Sequence, residues 1–308
     1  MASAPRHRLT QTVDPPAPVL RRRSASAVIV VLVAVVPALL GGWPFVTLLV
    51  TIGLIGIREL AHAFRRAGHS VDYRLSGALF LVTLLSITLR RTPVEILLAV
   101  SVAVMLPLVW SLTSARHQEA LASAALTSLA VLYLALPLGA AGVMRGLEGA
   151  SSRGWLQRIA EYLNSADTGL GLAWFLWGLS VTWLTDAVAY LFGARFGHTK
   201  LVPHLSPGKT RAGALAGLLA GSVTGCLGAA VFGVPLPFWL ALLAGLVVSL
   251  TAQVGDLAES LMKRAAGLKD MGHLIPGHGG VVDRIDALLF SLPLTLALAT
   301  LVEEVHWL

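Results

Sequence analysis

The residues best equipped for chemistry lie between positions 253 and 286. Gln253, Asp256, Glu259, Ser260 and Lys263 recur at one- or three-residue steps at the end of a long apolar run. At about 100° per residue they fall within about 120° of one another, on one helical face. Two carboxylates on such a face are costly at a membrane edge unless the face lines a wet site. Next come Lys263-Arg264, Lys269-Asp270, Pro276-Gly277-His278-Gly279-Gly280 and Asp283-Arg284-Ile285-Asp286. Carboxylates beside clustered Lys and Arg suit a hard cation together with phosphate oxygens. The glycines around His278 allow a tight turn and close approach of backbone to a ligand. Asp283 and Asp286 stand three apart where a helix would begin, the end that favours negative charge. Zinc fits poorly, because His273 and His278 sit in a Gly/Pro stretch rather than at i, i+4 on a helix. The single cysteine, Cys226, lies among Ala, Gly and Leu and excludes an intramolecular disulfide.

Two further features stand upstream. Asp186 interrupts an apolar stretch, Thr182–Tyr190. A carboxylate at membrane depth costs about 2.5–3.5 kcal/mol on insertion scales, so it is expected to face a cavity, a cation or a partner. The loop 198–211 contains Ser206-Pro207-Gly208-Lys209-Thr210. Its Gly-Lys-Thr is not a P-loop: position 203 is Pro where that pattern needs Gly, and no βαβ unit is available. What remains is a short cationic loop whose N–H groups and hydroxyls suit phosphate. If both segments bind phosphate, they must meet in space.

The elements that position these residues must be membrane helices. The 308 residues are 56% hydrophobic and 13% charged, with a mean hydropathy of +0.78; a soluble domain carries about 25% charged residues. That excludes an ordinary soluble domain and a disordered chain. The expected fold is an all-α polytopic membrane protein. Crossing about 30 Å of hydrocarbon takes about 20 mostly apolar residues. Nine stretches are candidates: 26–41, 45–60, 75–89, 93–114, 118–142, 168–193, 212–232, 236–258 and 286–302. If they alternate, 18 of the 23 Lys and Arg lie on the side of the amino terminus. The positive-inside rule then puts that terminus in the cytosol and the carboxy terminus outside. The net charge of +7 reads as this topology signal and as attraction to anionic lipid, not to nucleic acid.

Residues 1–24 are polar, basic and proline-bearing, and are expected to form a disordered cytosolic tail. Residues 25–166 would hold the amino-terminal transmembrane helices, and 167–308 a carboxy-terminal transmembrane catalytic region. Arg21-Arg22-Arg23 could open a signal peptide, but a second apolar run after Gly41-Gly42-Trp43-Pro44 favours an uncleaved helical hairpin. Gly213, Gly217, Gly221 and Gly225 form a stripe that lets another helix approach closely. Ser151–Leu156 is expected along the interface. In the first five spans Arg58, Glu59, His62 and Glu95 lie near span ends, where snorkelling or interfacial solvation accounts for them.

Ser260-x-Met262-Lys263-Arg264, Lys269-Asp270-x-Gly272 and Ile275-Pro276-x-His278-Gly279-Gly280-Val281-x-Asp283-Arg284-Ile285-Asp286 together resemble the signature of phosphatidate cytidylyltransferases (CDP-diacylglycerol synthases). The resemblance runs upstream through Gly255-Asp256 and Glu259 to Ser206–Thr210, and more loosely to Asp186 with Ala189-Tyr190 and Phe192-Gly193. Two departures stand out. Arg211-Ala212-Gly213 lacks the acid that commonly follows Lys-Thr in the family, and Ala187-Val188 replaces the usual Ser/Thr-Gly. The resemblance implies a multi-pass enzyme of the cell inner membrane, with its active site facing the cytosol. It would condense CTP with phosphatidic acid to CDP-diacylglycerol and pyrophosphate, with Mg²⁺ as cofactor and a monovalent cation such as K⁺ as a second candidate. Carried onto this chain, the catalytic residues are Asp256, Lys263, Asp283 and Arg284, with Asp256 and Asp283 as metal ligands. Around the substrates it implies Asp186, Ser206, Lys209, Thr210, Glu259, Ser260, Arg264, Lys269, Asp270, His278, Gly279, Gly280 and Asp286. Membrane lipids are the expected surroundings, no nucleic acid is expected as a partner, and a homodimer is left open.

The residues themselves agree with such a reaction. A phosphate monoester is already anionic, so no activated Ser or Cys is required, and catalysis reduces to positioning and charge neutralisation. Pyrophosphate leaves with charge that a metal, Lys and Arg can stabilise. Two rival readings keep the architecture: a cytidylyltransferase for another lipid phosphate, and a cation-coupled transporter. Transporters tend to show repeats with interrupted helices in both halves, whereas polar density here lies almost wholly after residue 182.

Overall fold

Apolar runs that must satisfy their own backbone groups become helices. The computed structural model, which describes residues 31–89, 91–112, 117–149, 151–163, 169–274 and 279–305, consists of ten helices and one short hairpin. In chain order the helices are α1 (Val31–Leu40), α2 (Gly42–Arg66), α3 (Tyr73–Thr88), α4 (Pro93–Ser111), α5 (His117–Arg145), α6 (Gly154–Leu163), α7 (Leu170–Phe196), α8 (Arg211–Phe232), α9 (Phe238–Ala265) and α10 (Val282–Val305). The hairpin, β1 (Lys200–Val202) and β2 (Ser206–Thr210), joins α7 to α8. The basic tail 1–24 lies outside the described residues.

Each of the nine expected spans has a helix, but not each helix has the length. Seven are long and apolar enough to cross a membrane: α2, α4, α5 and α7 to α10. These make the chain an all-α, multi-pass membrane protein. The 16 residues of α3 reach only about 24 Å at 1.5 Å per residue, and α1 is described over Val31–Leu40 alone. Span ends also move. The polar face after 253 stays helical, so α9 runs on to Ala265, and α10 begins at Val282.

Local chemistry explains the breaks. Gly41 takes φ +64° between α1 and α2. Asp72 caps α3, accepting from Arg74 N at 2.7 Å. Glu95 is not merely solvated at an interface: it forms a capping box with Thr92 at the start of α4, its carboxylate accepting from Thr92 N at 2.8 Å. α6 buries Leu156 and Ala160 and exposes Trp155 and Tyr162, as an interfacial helix would. Ser151 and Arg153, just before it, donate to the last carbonyls of α8, Phe232 O and Ala230 O.

The glycine stripe packs as expected. A Cβ at Gly217 would sit 3.0 Å from Thr185 O, and one at Gly225 would meet Gly245 Cα at 2.7 Å. α8 therefore lies against both α7 and α9. On its other face Leu215, Leu219, Val223, Leu227 and Val231 are each more than half exposed, a lipid-facing ridge. α10 packs on α9, α7 and α5, while α5 packs on α2, α3 and α4. The two halves thus meet across α5 and α10.

Candidate active site

α9 has 28 residues, about 42 Å of helix against about 30 Å of hydrocarbon. Its last turns, which carry Asp256, Glu259 and Lys263, therefore reach the membrane edge. There they meet the start of α10, the end of α7 and the hairpin. These elements enclose a cavity of about 650 Å³, lined among others by Asp186, Ser206, Lys209, Asp256, Lys263 and Asp286.

Gly255 brings the acids together. A Cβ there would lie 2.8 Å from Asp286 O and 3.0 Å from the Phe290 ring, so glycine is what lets α9 and α10 touch. Asp256, Glu259 and Asp286 consequently converge, each with a carboxylate oxygen within 4.8 Å of the others. The Glu259 side chain is fully buried; Lys263 contacts its Oε2, and its Oε1 has no hydrogen-bond partner among the described residues. An all-oxygen set with an unsatisfied buried carboxylate oxygen fits a hard cation such as Mg²⁺.

Asp283 is not one of the three carboxylates that converge, but it neighbours them, sharing Lys263 Nζ with Glu259 and lining the same cavity. Its side chain is 3% exposed. Oδ1 accepts from Lys263 Nζ at 3.0 Å. Oδ2 accepts from Gly280 N (2.8 Å), Met271 N (2.9 Å) and Gly272 N (3.4 Å). Although it borders the cavity, its oxygens are occupied in holding the segment between α9 and α10. Asp256 and Asp286 converge with Glu259 on one point, whereas Asp283 reaches α9 through Lys263.

The two polar segments do meet. Lys209 Nζ pairs with Asp256 Oδ2 at 2.7 Å, and Arg264 Nε donates to Leu205 O at 3.1 Å. What looked like a loop is a hairpin, with Lys200 opposite Thr210 and Val202 opposite Ser206. This aims Ser206 and Lys209 at the cavity. Thr210 borders the cavity too, but its hydroxyl caps α8 by accepting from Gly213 N at 3.1 Å. Arg284 also lines the cavity and makes no side-chain ion pair among the described residues.

Other expected substrate contacts fall elsewhere. Ser260 is buried and, like Glu259, stays off the cavity wall. Arg264 is exposed and spends its guanidinium on the carbonyls of Leu205 and Leu268. Lys269 and Asp270, just beyond α9, do not line the cavity. Gly279 adopts φ +81°, and a Cβ there would meet Asp283 Oδ2 at 2.8 Å. His278 lies outside the described residues.

Two residues from the amino-terminal half were not expected here. Glu59 of α2 does not snorkel: it is 8% exposed and accepts from Val281 N at 3.0 Å and Val282 N at 2.9 Å. Its faint signal was to be the one carboxylate between Asp14 and Asp72. Tyr133 of α5 packs edge-on against Phe290, ring centroids 6.3 Å apart. Its hydroxyl has no hydrogen-bond partner among the described residues and lies in the field of Asp286, Glu259 and Asp256. A lone tyrosine in an apolar span carries no spacing signal that could have found it.

Fold and site together define a class: a multi-pass helical membrane protein with one cavity walled by carboxylates, Lys and Arg where its helices end. Residues 21–302 match the cytidylyltransferase family, and the chain belongs to that family. It is 43% identical over 124 residues to the phosphatidate cytidylyltransferase of Staphylococcus haemolyticus, and 42% identical to proteins of that name from Staphylococcus epidermidis and Staphylococcus aureus. Each match covers 40% of this chain and 48% of the relative. The chain thus spans about half the length of these curated relatives.

Proposed function

We propose that this protein condenses CTP with phosphatidic acid to give CDP-diacylglycerol and pyrophosphate, at the cytosolic face of the cell inner membrane. The observation that carries the reading is the convergence of Asp256, Glu259 and Asp286 beside a cavity walled by Asp256, Asp286, Lys209, Lys263 and Arg284 at the membrane edge, in a member of the cytidylyltransferase family. The cavity also has an apolar side, Val31 and Trp183, beside exposed Leu184 and Leu191. A lipid phosphate could reach the cations from there while its acyl chains stay in the bilayer.

In the reaction an oxygen of the lipid phosphate attacks the α-phosphorus of CTP, and the bond from that phosphorus to the bridging oxygen breaks. A Mg²⁺ held by Asp256, Glu259 and Asp286 would supply charge neutralisation on the triphosphate. Lys209 can trade Asp256 for a phosphate oxygen, since the pair is only partly buried at 24% and 30% side-chain exposure. Arg284 offers a planar, bidentate donor set to the substrate or to the departing pyrophosphate. Lys263 keeps the buried acids from repelling each other, and Asp283 holds Met271, Gly272 and Gly280 at the approach to α10. In this reading α1 and α3 complete nine spans, the amino terminus and the site face the cytosol, and the carboxy terminus lies outside.

Purified protein given CTP, Mg²⁺ and a panel of lipid phosphates tests the proposal through pyrophosphate release. Release with phosphatidic acid and not with an isoprenoid phosphate is expected. Release with only some other lipid phosphate overturns the substrate, and no release with any overturns the reaction.

A further inference from the structure

We infer that Glu59 is a positioning residue of the site: from the amino-terminal half of the chain it fixes the start of α10, and so the placement of Asp283, Arg284 and Asp286. The link to turnover rests on the reaction proposed above; the clamp itself does not.

The first N–H groups of a helix have no partner within it. A cap for them ordinarily comes from the Ser, Thr, Asp or Asn that precedes the helix. Here the preceding residues are Gly279, Gly280 and Val281, none with a side chain that can accept. The acceptor comes instead from Glu59, 222 residues from Val281 in sequence, which takes the N–H groups of both Val281 and Val282. Its charge also suits the positive end of α10.

The same carboxylate explains two glycines of the motif. A Cβ at Gly272 or at Gly280 would land on the Glu59 carboxylate, so both positions are bare because α2 fills the space. On the other side of the segment, Asp283 takes the N–H groups of Met271, Gly272 and Gly280 while holding Lys263. The link between α9 and α10 is therefore gripped by two carboxylates, one from each half of the chain. A buried acid carried on an apolar helix is a costly way to cap another helix. What this arrangement adds over a local cap is a fixed position of α10 against α9, on which the meeting of Asp286 with Asp256 and Glu259 depends.

The test uses full-length protein in nanodiscs, with hydrogen exchange over residues 279–290 and steady-state kinetics with CTP and phosphatidic acid. Glu59→Ala and the isosteric Glu59→Gln, which keeps the protein folded should alanine not, are expected to speed exchange at Val281 and Val282 by about 10- to 100-fold. kcat should fall at least about tenfold with KM for the lipid little changed, the mark of an interaction expressed in the transition state. Gly272→Ala should be severe in the wild type and add little in Glu59→Ala, because the side chain it collides with is gone. Unchanged exchange in a folded Glu59 variant overturns the clamp. Faster exchange with unaltered kcat overturns the positioning role. If the wild type releases no pyrophosphate, the proposed reaction fails, and exchange with the Gly272 pairing still decides the clamp.

Discussion

At the residue scale the acids divide into two duties. Asp256, Glu259 and Asp286 present oxygens to one point, whereas Asp283 is consumed by three N–H groups and an ammonium. The division makes two variants differ in kind. Asp256→Asn is expected to raise the Mg²⁺ concentration needed for half-maximal pyrophosphate release, along with a fall in turnover of about 100-fold or more. Asp283→Asn should reduce turnover without moving the Mg²⁺ midpoint; equal shifts in both would return Asp283 to the metal. Lys263 lies between Glu259 and Asp283 with only 14% of its side chain exposed. Removing one partner of a buried ion pair costs about 3–5 kcal/mol, because the other is left charged and alone. Lys263→Gln should therefore lower Tm in detergent as well as turnover. Adding Glu259→Gln should recover part of the Tm and none of the activity, measured by thermal unfolding beside pyrophosphate release. A double variant no more stable than the single one would mean that Glu259 is not what Lys263 compensates.

At the element scale, glycine decides how close helices come. Gly255 sets the contact of α9 with α10, since a Cβ would lie 2.8 Å from Asp286 O. Overpacking of this kind costs about 1–3 kcal/mol, and here the strain falls on the two acids that must meet. Gly255→Ala is expected to keep the protein extractable and folded while cutting turnover at least about tenfold, because misplacement by an ångström is enough. In α8, Gly221→Val should destabilise strongly, since a side chain there meets Thr185 Oγ1 and Ser249. Leu219→Ala, on the 68% exposed lipid face, should leave Tm nearly unchanged. Equal effects of the two on detergent melting would mean that the faces of α8 are misoriented.

At the scale of the whole molecule, alternating helices put one set of ends together: the close of α7 and α9, the hairpin and the start of α10. Cysteines introduced singly into a Cys226→Ser background test which compartment they face. Residue 273, exposed beside the site, should resist a membrane-impermeant thiol reagent added to intact cells, and residue 161, exposed on α6, should react. The reverse pattern would turn the site away from cytosolic CTP and remove the proposed reaction with it.

The membrane class, the presence of a helix in each of the nine apolar stretches and the polar face of α9 were legible in the sequence, though not the helix ends. Each depends on local composition or on a periodicity within one helix. The packing duty of the Gly213–Gly225 stripe was legible for the same reason. Where a polar group finds its partner across the bundle was not. The sequence marks Glu59 and Asp283 as acids near helix ends, yet cannot say that one caps a helix 222 positions away and the other accepts three backbone N–H groups. Nor does it separate Asp286, which joins Asp256, from Ser260, which is buried off the cavity. Those assignments depend on the rotation and spacing of α10 against α9, α7 and α2. They are set by glycine contacts between distant segments, and only the tertiary structure brings those segments together.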